Sequence, residues 1–193
     1  MILLQELWYT VQGKGVTYIM VDVETDGPVP GLYSMIQLGA VVVEPGLKRT
    51  YYGEFKPLPG ADFVNSALEV VGVTREETLQ YQDFRKTVSE FYCWVEDVCN
   101  GTRPVFVSDN PGFDFAFVSW YMYYVLGKNP FGHSQVHLGS LYKGVERSMF
   151  KNFKHLRVTK HTHNPVDDAM GNAEAMLSFG RFVGGLPYER KTN

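Results

Sequence analysis

Hydrophobic residues near the start of the chain fall into runs that are typical of β-strands. Residues 17–23 and 34–43 are apolar and rich in β-branched side chains, and residues 47–55 alternate between apolar and polar positions. Continuous apolar runs and period-two alternation both predict strands. Pro45 and Gly46 supply a turn between the second and third runs. The chain is therefore predicted to open with an antiparallel meander of three strands.

Later segments show the three- to four-residue spacing of amphipathic helices. Thr74 and Glu77 have the spacing of a capping box, which predicts that a short helix begins there. Asp83 is the predicted N-cap of a longer helix, because apolar residues recur on one face until Asn100 and Gly101 end the pattern. Helices are thus expected to follow the meander.

Two more helices and two short strands complete the predicted order. Residues 113–126 form an aromatic-rich helix that Gly127 ends. The last helix is predicted to begin near Asn164-Pro165 and to run to about Phe182. The short strands are predicted at residues 104–107 and 136–138. This order predicts an α/β fold, a mixed sheet of antiparallel and parallel strands flanked by helices.

Length and composition place this pattern in one domain. The chain has 193 residues, of which 45% are hydrophobic, a size and composition that suit one globular core. Residues 17–193 are predicted to form that domain, with residues 1–16 as an N-terminal extension. No apolar run reaches the ~20 residues of a membrane span, and the first residues lack the pattern of a secretory signal. Because Cys93 and Cys99 suggest no disulfide framework, a cytoplasmic protein is expected.

Acidic residues on the first strand provide the first candidate chemistry. Asp22 and Glu24 are two positions apart, so both side chains point to the same face of the strand. Adjacent carboxylates repel each other unless a cation lies between them, and a hard ion such as Mg²⁺ or Mn²⁺ suits oxygen ligands. The alternative is a polar strand end that faces solvent.

Two other segments carry further candidate residues, which are acids and one histidine. Asp114 lies at the start of an apolar helix, where a carboxylate needs a partner unless it only complements the helix dipole. His163 and Asp168 are five residues apart across the predicted start of the last helix. A histidine can accept a proton near neutral pH. Asp167 competes with Asp168, and spacing alone does not separate the two acids.

Taken together, these segments resemble the three exonuclease motifs of the DEDDh family. The matching segments are Asp22 to Gly27, Asp109 to Asp114, and His163 with Asp168-Ala169. This family belongs to the ribonuclease-H-like superfamily and includes the proofreading subunit of bacterial replicative polymerases, ribonuclease T and oligoribonuclease. The three motifs occur in order, and the resemblance covers about residues 17–182.

The resemblance implies a ribonuclease-H-like fold and a 3'-to-5' exonuclease that acts on single-stranded nucleic acid, with RNA favoured over DNA. The expected products are nucleoside 5'-monophosphates. His163 would be the general base, and the position of the motif selects Asp168 over Asp167. The residues that would ligate two divalent cations, Mg²⁺ or Mn²⁺, are Asp22, Glu24, Asp114 and Asp168. Substrate contacts are expected from Thr25, Asn110 and Lys160.

This sequence departs from the family pattern at two places. Asp109-Asn110 stands where a His-Asn pair often occurs, and Val136-His137 stands where an Asp often follows the strand. Neither departure removes an expected metal ligand. The tyrosine-type branch of these nucleases has Tyr where Asn164 stands here, so the histidine type is the match.

Several alternatives to the exonuclease interpretation remain open. A basic segment leads into His163 and could follow a phosphate backbone or be a solvated loop; it contains Arg147, Lys151, Lys154, Arg157 and Lys160. A zinc site built from His133, His137, His161 and His163 is disfavoured, because no thiolate cluster accompanies these histidines. Other possible functions are an inactive nucleic-acid-binding module and a DNA proofreading subunit. The resemblance also permits a homodimer.

Overall fold

A five-stranded mixed sheet organises the protein, whose computed structural model describes residues 15–179. The strand order is β3-β2-β1-β4-β5. Strands β1, β2 and β3 pair antiparallel, whereas β4 runs parallel to β1 and β5 runs parallel to β4. The predicted meander and mixed sheet are thereby confirmed. The strands are β1 Val16–Thr25, β2 Met35–Val42, β3 Thr50–Glu54, β4 Arg103–Ser108 and β5 Gln135–His137.

Helices cover both faces of the sheet. They are α1 Asn65–Val71, α2 Arg75–Thr78, α3 Phe84–Cys99, α4 Pro111–Leu126, α5 Leu138–Val145 and α6 Pro165–Phe179, with a 3-10 helix at Lys154–Leu156. The predicted capping box of Thr74 and Glu77 begins α2, and the Asp83 carboxylate accepts a hydrogen bond from the amide of Arg85 at the start of α3. Among residues 15–179, no helix is long and apolar enough to cross a bilayer.

The structure differs from the sequence-based prediction in several elements. Helices α1 and α5 were not predicted. Leu138, predicted as the end of a strand, is instead the buried first residue of α5. Strand β1 begins at Val16, one residue inside the predicted extension 1–16. The rest of that extension, residues 1–14, and the predicted helix end at Phe182 lie outside the described residues.

Alternate residues of β1 belong to two separate hydrophobic layers. Val21 and Val23 pack with α3 and α4, as buried residues such as Phe91 and Phe117 show. Met20 packs on the other face with α6 through Ala169. Asp22 and Glu24 continue the Met20 side of the strand, since side chains alternate between faces. The two acids therefore point toward α6, as the strand period predicted.

Gly39 allows the start of α6 to lie directly on the sheet. It pairs with Asp22 in the register of β1 and β2. A Cβ atom at this position would overlap the backbone of Pro165 and Val166. A side chain here is thus incompatible with the observed packing, and its absence brings the first turn of α6 against the acidic end of β1.

Substituting Gly39→Ala is expected to destabilise the protein by about 1–3 kcal/mol and to weaken Mg²⁺ binding, because α6 must move away from β2. Thermal unfolding and calorimetric Mg²⁺ titration measure the two effects. Gly144→Ala is the matched control, since a Cβ on this glycine of α5 meets nothing within 4 Å. Equal Mg²⁺ affinity in Gly39→Ala and the parent would contradict the positioning role.

Candidate active site

Three carboxylates from two elements meet where β1 contacts α6. Asp22 and Glu24 come from β1, and Asp168 comes from the first turn of α6. One carboxylate oxygen from each lies within 4.8 Å of the others. Oxygen ligands at this spacing suit a hard divalent cation. The strand pair predicted from the sequence and the helix acid thus belong to one cluster.

The fourth predicted acid, Asp114, joins this cluster from the first turn of α4. Its side chain is buried, with 5% of the residue exposed. The backbone amides of Val23 and Asn110 are close enough to its carboxylate to lower its pKa. Its charge is close enough to contribute to the raised pKa values of both Asp22 and Glu24. The structure therefore brings all four predicted acids together.

Burial and mutual repulsion raise the proton affinity of three acids of this cluster, namely Asp22, Glu24 and Asp114. Burial is the larger cause for each group, and the charges of neighbouring acids add to it for Asp22 and Glu24. The pKa of Asp22 lies well above its usual range, that of Glu24 rises to about 8, and that of Asp114 rises to about 7. Such a site has an excess of negative charge that a divalent cation would offset. The donor set therefore fits Mg²⁺ or Mn²⁺.

His163 lies at the open rim of the acids. Its Nδ1 atom is 3.9 Å from Oε1 of Glu24, and 41% of its side chain is exposed. Its backbone adopts a left-handed conformation with φ of +61°. The amides of Thr162 and His163 donate to the two oxygens of Asp168 at 2.9 and 3.1 Å. The backbone around the histidine is thus tied to one of the acids that it borders.

The structure separates the two adjacent acids of α6. Asp168 is 2% exposed and belongs to the cluster, whereas Asp167 is only partly buried. An oxygen of Asp167 accepts a hydrogen bond from the hydroxyl of Thr162 at 3.1 Å. Asp168 is accordingly the acid that meets Asp22 and Glu24, in agreement with the family motif.

The three expected substrate contacts have different surroundings. Thr25 is buried, and its hydroxyl donates to the carbonyl of Gly27 at 2.9 Å. Asn110 is exposed at the N-cap of α4, and its side chain makes no capping hydrogen bond. Lys160 is exposed in the loop before α6. Asn110 and Lys160 therefore present their side chains at the surface, whereas Thr25 uses its hydroxyl internally.

Two residues near the acids were not assigned to the site from the sequence. Arg157, predicted as part of a basic segment, has only 11% of its side chain exposed. It donates to Oδ1 of Asn172 and lies 3.4 Å from Oδ2 of Asp109, and its charge lowers the pKa of Asp22. His161 places Nδ1 at 2.7 Å from Oδ2 of Asp168. Both occupy irregular backbone, where no periodicity reveals the direction of a side chain.

Without metal, the protein is expected to lose stability as pH rises from about 4 to about 8. Folded Asp114 and Glu24 keep protons up to pKa values of about 7 and about 8, whereas unfolded carboxyls lose theirs near pH 4. The folded state then binds more protons in this window, so the free energy of unfolding falls with rising pH. Urea unfolding in EDTA measures the decline.

Glu24→Gln provides the control for this pH dependence, because it removes one titrating group from the cluster. The decline should be smaller in Glu24→Gln than in the parent, and saturating Mg²⁺ should reduce the decline in the parent, since metal binding displaces protons from the acids. Identical slopes in the parent and Glu24→Gln would contradict the raised pKa of Glu24.

Comparison with known proteins identifies similar nucleases. No protein-family model matches the chain. The chain is 33% identical over 167 residues to the 3'-5' DNA exonuclease Cap18 of Escherichia coli, across 81% of this chain and 88% of that protein. It is 24% identical over 181 residues to the PolC-type DNA polymerase III of Thermotoga petrophila, across 91% of this chain but 13% of that polymerase.

Solved structures share the fold. The nuclease domain of 3'hExo, a DEDDh family member with bound rAMP, matches with a TM-score of 0.69 and 13% identity, across 93% of this chain and 99% of that domain. Exonuclease I of E. coli in complex with single-stranded DNA matches with a TM-score of 0.67 and 15% identity. That match covers 88% of this chain and 42% of exonuclease I.

The sequence relationship and the fold agree with the motifs. The match to Cap18 spans most of both proteins, and the structural neighbours have the same ribonuclease-H-like fold. The acids of the three motifs lie together at one end of the sheet, with the histidine at their rim. The chain therefore belongs to the DEDDh-type family of 3'-5' exonucleases.

Proposed function

We propose that this protein removes nucleotides from the 3' end of single-stranded DNA and releases nucleoside 5'-monophosphates with the aid of two divalent cations. The observation that carries the proposal is the cluster of four carboxylates with an imidazole at its rim. Such a cluster has the ligands for metal-dependent phosphodiester hydrolysis and a base for the attacking water.

Asp22, Glu24, Asp114 and Asp168 would hold the two cations, Mg²⁺ or Mn²⁺. When bound, the pair would activate the attacking water and stabilise the leaving 3'-oxygen. Asp168 is held by the backbone amides of Thr162 and His163 before any cation binds. These hydrogen bonds fix this ligand in place, which reduces the reorganisation that metal binding requires.

His163 would act as the general base. An imidazole nitrogen would take the proton of the attacking water and pass it to solvent, to which 41% of the side chain is exposed. The backbone hydrogen bond from His163 to Asp168 keeps the ring beside the acids. Its exposed position leaves room for the ring to turn toward a bound strand.

The sugar preference is the part of the proposal that departs from the sequence analysis. The relative that is 33% identical is named a DNA exonuclease, which supports DNA as the substrate of this chain. RNA, favoured in the sequence analysis, stays a prediction that the same assay tests. Discrimination would depend on contacts to the 2'-hydroxyl position.

Exposed side chains around the acids would bind the strand. Asn110 at the start of α4 and Lys160 in the loop before α6 are both exposed. Lys154 is exposed in the same basic segment, whereas Arg157 points inward to Asn172. Phosphate contacts would therefore come from the lysines rather than from Arg157. Thr25 would support the turn after β1 through its bond to Gly27.

The decisive experiment is a time course with 5'-labelled single-stranded DNA and RNA of equal sequence, in Mg²⁺, Mn²⁺ or EDTA. The expected result is a metal-dependent ladder that shortens from the 3' end, with DNA degraded faster. Circular single-stranded DNA of the same composition is the matched control, since it has no 3' end. Cleavage of the circle would identify an endonuclease and contradict the proposal.

Two alternative results would change the assignment. Binding of linear DNA without cleavage in any metal would support the inactive binding module. Faster degradation of RNA would support the prediction from the sequence that RNA is favoured over DNA. The homodimer and the polymerase-associated proofreading role also stay predictions, and sedimentation analysis of the purified chain tests the first of them.

A further inference from the structure

Two imidazoles and one carboxylate meet at the rim of the acid cluster. Ligand atoms of His161, His163 and Asp168 all lie within 4.8 Å of one another. The Nδ1 atom of His161 is 2.7 Å from Oδ2 of Asp168, and the two histidine rings have centroids 4.3 Å apart. His161 lies outside the three motifs, and the proposed reaction gives it no part.

The exposure of the two imidazoles leaves space for an incoming ion. Asp168 is held by two backbone amides, whereas 52% of the His161 side chain and 41% of the His163 side chain are exposed. A tetrahedral ion at about 2.0–2.2 Å from each ligand needs ligand atoms about 3.4 Å apart. Small changes in the side-chain torsions of the two exposed imidazoles would bring their nitrogens to this spacing around Asp168, which is the fixed ligand.

The donor atoms of His161, His163 and Asp168 favour a different metal from the one that the acid cluster favours. Two imidazole nitrogens with one carboxylate oxygen favour Zn²⁺ and similar ions such as Co²⁺, whereas Mg²⁺ prefers oxygen ligands. Asp22 and Glu24 offer only oxygen. The protein therefore has two ligand sets of different preference, and both include Asp168.

We propose that His161, His163 and Asp168 form an inhibitory site for Zn²⁺. Inhibition rests on the proposed exonuclease function, because an ion held there would remove Asp168 from the catalytic cations. It would also coordinate the His163 imidazole, which is the proposed base. Zn²⁺ at this site and Mg²⁺ at the acids therefore compete, and the enzyme turns over only when the histidine pair is free of Zn²⁺.

A direct binding measurement tests the site without any activity. Co²⁺, whose visible absorption reports a tetrahedral nitrogen-oxygen site, is titrated into the full chain. All proteins carry Cys93→Ser, because Cys93 is an exposed thiol that could itself bind Co²⁺. His161→Gln should raise the Kd for Co²⁺ at least about tenfold. His133→Gln removes an exposed imidazole from another loop and should leave the Kd unchanged.

A rescue variant distinguishes the loss of a metal ligand from misfolding of the protein. His161→Cys supplies a different metal ligand at the same position, and it should restore tight binding with an added thiolate-to-cobalt absorption band. Equal Co²⁺ affinity in His161→Gln and the parent would overturn the proposal, because the ion would then bind among the acids. Absence of tetrahedral Co²⁺ absorption in the parent would overturn it as well.

Inhibition is measured in parallel, as exonuclease turnover at fixed Mg²⁺ with increasing Zn²⁺. The Zn²⁺ inhibition constant should rise in His161→Gln by the same factor as the Kd for Co²⁺, and added Mg²⁺ should relieve inhibition in the parent. Unchanged inhibition in His161→Gln would overturn the inhibitory role. If the parent has no nuclease activity, the proposed function fails, and the Co²⁺ titration still decides whether the site exists.

Discussion

Replacing Asp114 with asparagine is expected to lower kcat by about a thousandfold, roughly 4 kcal/mol of transition-state stabilisation. Asp114 is a buried member of the acid cluster, and asparagine keeps its shape while removing the negative charge. The cations would lose a ligand. The metal-free folded state would become more stable, because the carboxylate of Asp114 would no longer repel the neighbouring acids. Asp114→Asn should therefore unfold at higher urea than the parent at pH 8 in EDTA, although it is nearly inactive.

Asp167→Asn is the control for this experiment. Asp167 neighbours Asp168 in sequence but contacts the Thr162 hydroxyl instead of the other acids. Its replacement should change kcat by no more than about threefold, since it removes at most one exposed hydrogen bond. Full activity of Asp114→Asn together with parental Mg²⁺ affinity would contradict the assignment of Asp114 as a ligand.

The second large effect is expected from His163→Asn, which should lower kcat by about 10²- to 10⁴-fold without loss of Mg²⁺ affinity. Asparagine tolerates the left-handed backbone that His163 adopts at φ of +61°, so the loop should keep its conformation. Single-turnover kinetics and calorimetric Mg²⁺ titration measure the two quantities.

His155→Asn is the matched histidine control, since His155 is exposed and packs beside Tyr142 rather than beside the acids. Its kcat should equal that of the parent. A loss of Mg²⁺ affinity in His163→Asn that parallels the loss of turnover would identify His163 as a metal ligand and not as the base. Unchanged kcat in His163→Asn would assign proton removal to another group.

Local sequence patterns predicted those elements whose ends carry side-chain signals. The capping box of Thr74 and the N-cap Asp83 place two helix starts correctly. Helix α1 was missed because it has seven residues and its N-cap, Val64, provides no side-chain hydrogen bond. Helix α5 was missed for a related reason, since His137 at its N-cap also makes no capping bond and β5 before it has only three residues.

The placement of Asp22 and Glu24 on one face of a strand follows from local sequence alone, because the period of a strand is a local property of the backbone. The order of the three motifs likewise indicates the family without a structure. The tertiary structure was needed to show that Arg157 turns inward and that His161 comes beside His163. These outcomes depend on irregular loops and on the contact that Gly39 permits between α6 and β2. No local periodicity encodes them, because they arise only when segments distant in sequence pack together.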